Sequence, residues 1–321
     1  MNGKNNSSTF EIGVVGLGLM GTSIIVSLLV SGHPVIGIAP LPSDMDGALD
    51  RIHSQLNHAD EAGLLSENVD YYLKRLHLTE DYSKLKSCSL VQECVTEVIE
   101  IKTEVYLKIS QNTESTAVIA TNTSAIPISV LQENVNLPSR FIGIHWAEPA
   151  YMTRFLEVTK GALTDEKIAN RVLSLARTWN KEPTYLKKDL RGFVTNRMLY
   201  AVYREMFAIL ENGEASMDDL DKAFRYDPGS WMTYMGLFKR MDQLGLSDFK
   251  EIFENIFPQL DNSQTVPTTM QAIVKVQGKG INNGKGLYNY TKEEAIKWEE
   301  AFKDFNHEIF HLAAQYPEIN T

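Results

Sequence analysis

The sequence predicts an α/β protein in which a Rossmann-type doubly wound sheet domain is followed by an all-helical domain. In the first part of the chain, short apolar runs rich in β-branched residues alternate with helical stretches, which is typical of a parallel sheet with crossover helices. From residue 193 onward, the pattern is almost entirely helical. We therefore expect a dinucleotide-binding domain over residues 1–190 and a helical domain over residues 191–321.

The first βαβ unit lies near the amino terminus. Phe10–Val15 is an apolar run of strand type, and a glycine-rich turn separates it from a helix over Met20–Val30. Val35–Ile38 is a second short strand. The next segment, residues 44–78, is charged and has apolar residues at helical spacing, which predicts a helical hairpin inserted after the second strand.

The remaining elements follow the same alternation and then change character. Further strands are expected at Leu90–Gln92, Ala117–Ala120, Phe141–Ile144 and Phe155–Val158, and further helices at Asp218–Phe224, Met232–Leu244 and Lys292–Gln315. An apolar stripe at helical spacing covers residues 198–210 and ends at Gly213. Such a stripe suits a subunit interface and the core of a helical domain equally well.

Composition excludes several classes of protein. The 321 residues carry a formal net charge of −10, with 41 acidic against 31 basic side chains, so no nucleic-acid partner is expected. No apolar run is long enough for a membrane span, and no cysteine–histidine spacing indicates a metal site. The two cysteines, Cys88 and Cys94, are expected to be buried, reduced thiols, which places the protein in a reducing cytoplasm.

The glycine-rich turn predicts a dinucleotide cofactor. It reads Gly16-Leu17-Gly18-Leu19-Met20-Gly21, follows a strand and opens a helix, so Gly16, Gly18, Leu19, Met20 and Gly21 are candidate cofactor-binding residues. An acidic residue that would hold the ribose 2′-hydroxyl is missing from the end of the second strand, where Ala39 and Pro40 stand. Asp44 and Asp46 lie in a loop and are expected to be poor substitutes. NAD is the preferred cofactor, and NADP stays open.

A second pair of residues indicates acid–base chemistry. His145 closes one expected strand and Glu157 lies in the next, so neighbouring strands can bring the carboxylate against the imidazole. An imidazole held in this way can take the proton of an alcohol while hydride leaves to a nicotinamide. The sequence therefore predicts an enzyme that oxidises a secondary alcohol.

Six segments in this order together resemble the L-3-hydroxyacyl-CoA dehydrogenase family over nearly the whole chain. They are the Gly16–Gly21 turn, Glu93-Cys94-Val95-Thr96-Glu97 with Lys102, Asn122-Thr123-Ser124, the His145 segment, Gly192-Phe193-Val194-Thr195-Asn196-Arg197, and Gly284-Lys285-Gly286-Leu287-Tyr288-Asn289-Tyr290. The resemblance implies a homodimer that acts in fatty acid metabolism on a small-molecule acyl substrate.

The resemblance also implies roles for single residues. His145 would be the general base and Glu157 its orienting partner, while Ser124 and Asn196 would hold the substrate oxygen. In addition, Glu97, Lys102 and Asn122 would contact the cofactor, as expected from the family. The family's His-Phe-Phe-Asn-Pro is here His145-Trp146-Ala147-Glu148-Pro149, so a carboxylate replaces an amide close to the base.

The identity of the substrate is left open by the sequence. The expected function is that of a 3-hydroxyacyl-CoA dehydrogenase, and the alternatives are a dehydrogenase of a free small 3-hydroxy acid such as carnitine or gulonate, or a cofactor-binding protein without turnover. In the family, the inserted hairpin helps to hold CoA, whose phosphates call for basic side chains. Here residues 44–78 contain seven aspartates and glutamates against three arginines and lysines. Acyl-CoA thioesters are therefore expected to be weak substrates, or a short substrate to be preferred.

Overall fold

The computed structural model describes residues 10–316, apart from the side chains of residues 303 and 314. It divides into two compact units, and the chain passes from one to the other between Val194 and Thr195. The sequence places this division a few residues earlier, near residue 190.

The first unit is built on one sheet of eight strands. The strands are β1 (Ile12–Val15), β2 (Val35–Ile38), β3 (Leu76–Thr79), β4 (Leu90–Glu93), β5 (Val118–Thr121), β6 (Phe141–Trp146), β7 (Phe155–Thr159) and β8 (Glu182–Leu186). Their order in the sheet is β3-β2-β1-β4-β5-β6-β7-β8. The first six strands are parallel, whereas β7 pairs antiparallel with β6, and β8 pairs parallel with β7.

Helices cover the sheet and complete two apolar cores. They are α1 (Leu19–Val30), α2 (Ala48–Glu61), α3 (Val69–Leu73), α4 (Ile99–Gln111), α5 (Ile128–Gln132) and α6 (Glu166–Thr178). One core lies under α1, α2 and α6, and the other under α4 and α5. The four residues of each of β1, β2, β4 and β5 are all buried, as expected for strands with helices on both faces.

The inserted hairpin is shorter than the sequence predicts. Helices α2 and α3 form it, but residues 76–78 belong to β3, which pairs with β2 at the edge of the sheet. The strand is only partly buried, and its Leu-His-Leu-Thr alternation is too short to separate from the preceding helical pattern. Strand β8 was also not expected, because Glu182 and Pro183 interrupt its apolar character.

The second unit is helical. Its elements are α7 (Val194–Glu211), α8 (Met217–Tyr226), α9 (Pro228–Trp231), α10 (Leu237–Leu244), α11 (Leu246–Ile256), α12 (Thr268–Lys275) and α13 (Lys292–Gln315). The expected helix over Met232–Leu244 begins only at Leu237, because Gly236 is extended and forms the amino-terminal cap. Within residues 10–316, no helix is both long enough and apolar enough to cross a lipid bilayer.

Candidate active site

The glycine-rich turn joins β1 to α1 at the carboxyl edge of the sheet. Gly16 has a φ of +102°, and a Cβ there would lie 2.8 Å from the carbonyl oxygen of Cys94. A Cβ on Gly21 would lie 1.8 Å from the carbonyl oxygen of Gly16. At Gly18, by contrast, a Cβ would meet no atom within 4 Å. Protein atoms therefore leave no room for a side chain at Gly16 and Gly21, whereas the space beside Gly18 is free of protein atoms.

This open side meets the amino terminus of α1. Gly18 is the capping residue, and in the described part of the chain no side chain accepts a hydrogen bond there. The first-turn N–H groups and the positive end of the helix are thus left for an anion, which is what a pyrophosphate requires. Leu19 is 61% exposed at the start of α1, while Met20 packs partly into the core. The backbone of this turn fits a dinucleotide.

An open cavity of about 400 Å³ lies beside the turn. It falls where the chain crosses from the β2–β3 side of the sheet to β4, the topological switch point at which doubly wound folds bind their ligands. Its walls are formed by Gly16, Leu17, Gly18, Pro40, Leu41 and Asp44 on one side, and by Cys94, Val95, Thr96, Ile101, Glu104, Val105 and Lys108 on the other.

His145 and Glu157 are direct partners across the antiparallel pair β6–β7. The Nδ1 atom of His145 lies 2.9 Å from a carboxylate oxygen of Glu157, and the second oxygen accepts a hydrogen bond of 3.1 Å from the backbone N–H of Val194. The side chain of Glu157 is fully buried, whereas that of His145 is 13% exposed. Because a carboxylate only accepts hydrogen bonds, Nδ1 carries the imidazole proton and Nε2 is left as an acceptor.

Ser124 follows β5 and faces the free side of this imidazole. Its Oγ lies 3.2 Å from Nε2 of His145, and its backbone N–H donates to Glu97 at 2.9 Å. The hydroxyl of Thr123 donates to the same carboxylate oxygen of Glu97. Burial alone would raise the pKa of Glu97, but the bond from Thr123 and the charge of Lys102 outweigh burial and lower it. Glu97 therefore holds Ser124 against His145 as an ionised carboxylate.

Lys102 is buried beneath this site, with a side chain that is 1% exposed. Its ammonium lies 2.8 Å from Glu93 and 3.2 Å from Glu97. Burial lowers the pKa of Lys102, but the two carboxylates more than compensate, and the net direction is upward. The expected contact of Lys102 with the cofactor stays a prediction, since the described contacts of its ammonium are to protein groups.

Glu93 is a site residue to which the sequence assigned no role. It ends β4, is fully buried, and also accepts hydrogen bonds from the hydroxyls of Tyr106 at 2.8 Å and Thr121 at 2.7 Å. A carboxylate at the end of a buried strand was the available signal, because a buried charge requires partners. An unbroken series of polar contacts thus runs from Glu93 through Lys102 and Glu97 to Ser124 and the base.

The two asparagines fall in different places. Asn122 accepts a hydrogen bond of 2.9 Å from the backbone N–H of Trp146, which ties the carboxyl ends of β5 and β6 together. Asn196 lies in the first turn of α7, two residues after Val194. Its proposed contact with the substrate and that of Asn122 with the cofactor stay predictions.

Glu148 lies in the loop that follows β6 and precedes a cis peptide bond to Pro149. The loop is tied to α1, because the backbone N–H of Ala150 donates to the hydroxyl of Ser23 at 2.7 Å. Glu148 is exposed as a residue, but its carboxyl group is partly shielded from solvent by the protein. This shielding raises the pKa of Glu148, and a hydrogen bond with Ser23 opposes part of the shift. Glu148 is thus held toward α1.

Comparison with known families gives two adjoining matches. Residues 11–190 match the NAD binding domain of 3-hydroxyacyl-CoA dehydrogenase, and residues 192–290 match its C-terminal domain. Among curated proteins, the chain is 30% identical over 300 residues to 5-formyl-3-hydroxy-2-methylpyridine 4-carboxylate 5-dehydrogenase of Mesorhizobium japonicum, covering 91% of this chain and 95% of that protein. It is 29% identical over 283 residues to 3-hydroxybutyryl-CoA dehydrogenase of Mycobacterium tuberculosis, covering 87% and 98% of the two chains.

Solved structures give the same two groups. The crystal structure of the formyl-hydroxy-methylpyridine carboxylic acid dehydrogenase, described as an NAD+ dependent dismutase, has a TM-score of 0.89 at 27% identity and covers 96% of this chain and 100% of that one. An (S)-3-hydroxybutyryl-CoA dehydrogenase from Ralstonia eutropha has a TM-score of 0.73 at 26% identity and covers 88% of this chain and 100% of that one.

Proposed function

The chain belongs to the 3-hydroxyacyl-CoA dehydrogenase family, an NAD-linked oxidoreductase acting on a CH–OH group, and from this premise we propose that His145 is its general base. The observation that carries the proposal is the pair of contacts that fixes the imidazole, 2.9 Å from Nδ1 to Glu157 and 3.2 Å from Nε2 to Ser124. Nε2 is then the acceptor atom of the imidazole, and the hydroxyl of Ser124 lies against it.

The reaction follows from these positions. Bound NAD+ would supply the hydride acceptor, and the hydroxyl-bearing carbon of the substrate would become a carbonyl. Nε2 of His145 takes the hydroxyl proton, and the carboxylate of Glu157 stabilises the resulting imidazolium through Nδ1–H. Ser124 donates its hydroxyl to the substrate oxygen as negative charge develops on it. In the reverse direction, His145 returns the proton to the carbonyl oxygen.

The other predicted residues act around this centre in the proposal. Gly16, Gly18 and Gly21 shape the turn for the pyrophosphate, and the backbone at Leu19 and Met20 offers N–H groups to it. Glu97 holds Ser124 and faces the nicotinamide side, with Lys102 as a positioning residue beneath it. Asn122 fixes the edge of β5 near the cofactor, and Asn196 completes the contacts of the substrate oxygen.

We expect the enzyme to use CoA thioesters with a high KM, although its family takes its name from them. The acidic hairpin gives CoA phosphates little attraction, and its two arginines are already engaged. Arg51 donates to the carbonyl oxygens of Leu17 at 2.8 Å and Asp46 at 3.2 Å, and Arg75 donates to the hydroxyl of Tyr71 and to the carbonyl of Gly32. A guanidinium bound to backbone oxygens is a poorer phosphate ligand.

A second candidate substrate is a small aromatic carboxylate that bears a hydroxymethyl or formyl group. The observation favouring it is the TM-score of 0.89 to the pyridine carboxylic acid dehydrogenase, against 0.73 for the hydroxybutyryl-CoA enzyme. The alternatives raised from the sequence, a dehydrogenase of a free 3-hydroxy acid and a cofactor-binding protein without turnover, are not favoured by the comparisons.

The test is a panel of substrates whose turnover is monitored through the absorbance of NADH. The panel contains acetoacetyl-CoA, 3-hydroxybutyryl-CoA, free 3-hydroxybutyrate, carnitine, and a pyridine carboxylate with a formyl substituent. We expect turnover of a hydroxyacyl or carbonyl substrate in wild type and its loss in His145→Gln. The proposal fails if cofactor binds and no member of the panel is turned over.

We also propose that the protein is a cytoplasmic homodimer that serves fatty acid metabolism. The second unit leaves many large apolar side chains exposed, including Tyr226 at 68%, Phe238 at 84% and Val276 at 68%, and such exposure favours a subunit interface. Both cysteines are free thiols, which suits a reducing compartment. Sedimentation analysis checks the dimer; a monomer at micromolar concentration would refute it.

A further inference from the structure

The cavity beside the glycine-rich turn contains a carboxylate close to the position where the sequence lacks one. Strand β2 ends at Ile38, and the next residue, Ala39, is only 2% exposed and packs in the apolar core. The cavity wall at this point consists of Pro40, Leu41 and Asp44. A side chain at position 39 would therefore face the core, and the acidic group nearest the end of β2 on the cavity side is Asp44.

Local hydrogen bonding turns Asp44 back toward the strand. Residues Pro42–Met45 form one turn of 3-10 helix, and a carboxylate oxygen of Asp44 accepts a hydrogen bond of 3.1 Å from the backbone N–H of Leu41. This bond brings the carboxylate from its place in the turn to the level of Leu41, three residues after β2 ends. The loop position that made Asp44 a poor candidate in the sequence is thus compensated by the fold of the turn.

Asp44 supplies a negative charge on the part of the cavity wall next to the end of β2. The wall also holds the carboxylate of Glu104 and the ammonium of Lys108, and the guanidinium of Arg51 is bound to the carbonyl oxygens of Leu17 at 2.8 Å and Asp46 at 3.2 Å. The field of Asp44 extends to Tyr82, whose pKa is raised to about 12 by burial and, beyond burial, by the charges of Asp44 and Glu93. A phosphate that enters next to Asp44 would be repelled by the charge of this carboxylate.

We propose that Asp44 selects NAD over NADP by accepting a hydrogen bond from the 2′-hydroxyl of the adenosine ribose and by repelling a 2′-phosphate. The proposal rests on the NAD-linked function described above and adds the residue that distinguishes NAD from NADP. It replaces the carboxylate that doubly wound dinucleotide-binding domains usually carry at the end of the second strand.

The test compares Asp44→Asn with Asp46→Asn. Asparagine at position 44 keeps an oxygen for the N–H of Leu41 and removes only the charge, while Asp46 is an exposed carboxylate of the same loop outside the cavity wall. Dissociation constants for NADH and NADPH are measured by nicotinamide fluorescence without substrate, so that turnover plays no part. If Asp44→Asn does not fold, as judged by its melting temperature, Asp44→Ser is used in its place.

In wild type, NADH should bind more tightly than NADPH. The ratio of the NADPH to the NADH dissociation constant should fall about tenfold or more in Asp44→Asn, since a charged hydrogen bond is lost and a repulsion removed. It should stay within about twofold of wild type in Asp46→Asn, because an exposed charge is largely screened. An unchanged ratio in Asp44→Asn, an equal fall in Asp46→Asn, or no preference in wild type overturns the proposal. Failure of wild type to bind either cofactor would instead contradict the proposed function itself.

Discussion

Replacement of Glu157 by glutamine tests the central hydrogen bonds of the site. Two of the partners of this carboxylate have different requirements: Nδ1 of His145 at 2.9 Å and the backbone N–H of Val194 at 3.1 Å. Val194 can only donate, so an amide at position 157 satisfies it only by pointing its oxygen there. The NH₂ group then faces Nδ1, which must accept, and the proton of the imidazole moves to Nε2. In that tautomer His145 cannot take a proton from the substrate.

The size of the effect follows from the same two bonds. The opposite amide orientation restores the active tautomer but sets the NH₂ group against the N–H of Val194, which costs about 1–3 kcal/mol for an unsatisfied buried donor. The imidazolium formed in the reaction also loses a charged hydrogen bond, worth about 1.5–3 kcal/mol. At about 1.4 kcal/mol per factor of ten, the two losses together lower kcat by roughly 10²–10⁴-fold.

The assay is kcat from NADH absorbance, with NADH affinity measured separately by fluorescence. Glu157→Gln should bind NADH as wild type does, because the cavity beside the glycine-rich turn is unaltered. Glu182→Gln is the matched control: this glutamate lies on the neighbouring strand β8, its side chain is 74% exposed, and its loss should leave kcat unchanged. A Glu157→Gln variant that keeps more than half of the wild-type kcat, while His145→Gln loses activity, would show that this carboxylate does not set the tautomer of His145.

Three further outcomes are expected. Gly18→Ala should fold normally and lose at least about tenfold in NADH affinity, because its Cβ would occupy only the space that a pyrophosphate needs. Gly21→Ala should lower the melting temperature, because its Cβ would lie 1.8 Å from a backbone oxygen. Equal melting temperatures of the two variants would contradict this expectation. Lys102→Met leaves the buried carboxylate of Glu93 without its ammonium and should reduce the free energy of unfolding by about 3–5 kcal/mol in denaturant titrations, and a loss under 1 kcal/mol would argue against it. Burial lowers the pKa of Lys181 to about 7 in the folded state. Because the unfolded chain therefore binds more protons above that pH, the free energy of unfolding should rise from pH 7 toward about 10. The rise should be smaller in Lys181→Met, and identical pH profiles of the variant and the wild type would refute this expectation.

The sequence by itself determined the class of fold and the chemistry. Apolar four-residue strands alternating with helices predict a parallel sheet, and a glycine-rich turn after the first strand predicts an anion-binding site at the helix that follows. These are local patterns, and they place the turn at Gly16–Gly21 without knowledge of distant contacts. The pairing of His145 with Glu157 was also predictable, since both lie in adjacent strands of strong apolar character.

Elements whose pattern is weak or short were less predictable. Residues 76–78 continue the helical spacing of the hairpin before them, yet they form β3, because backbone groups of β2 are available for pairing there. The start of α10 at Leu237 depended on the extended conformation of Gly236. In both cases the deciding contribution is a hydrogen-bonding arrangement that apolar periodicity does not encode.

The tertiary structure alone decided how the charged residues of the site act on one another. Glu93 and Lys102 are 9 residues apart, and the resemblance to the family suggested a role only for Lys102. Burial makes each of the two charges obligatory for the other, and Lys102 connects them through Glu97 to Ser124. The sequence predicts only that Asp44 lies in a loop, whereas the structure shows its carboxylate bound to the N–H of Leu41 at the cavity wall. The physical reason is common to both: the effect of a charge depends on its desolvation and its partners in space, which the order of residues along the chain does not specify.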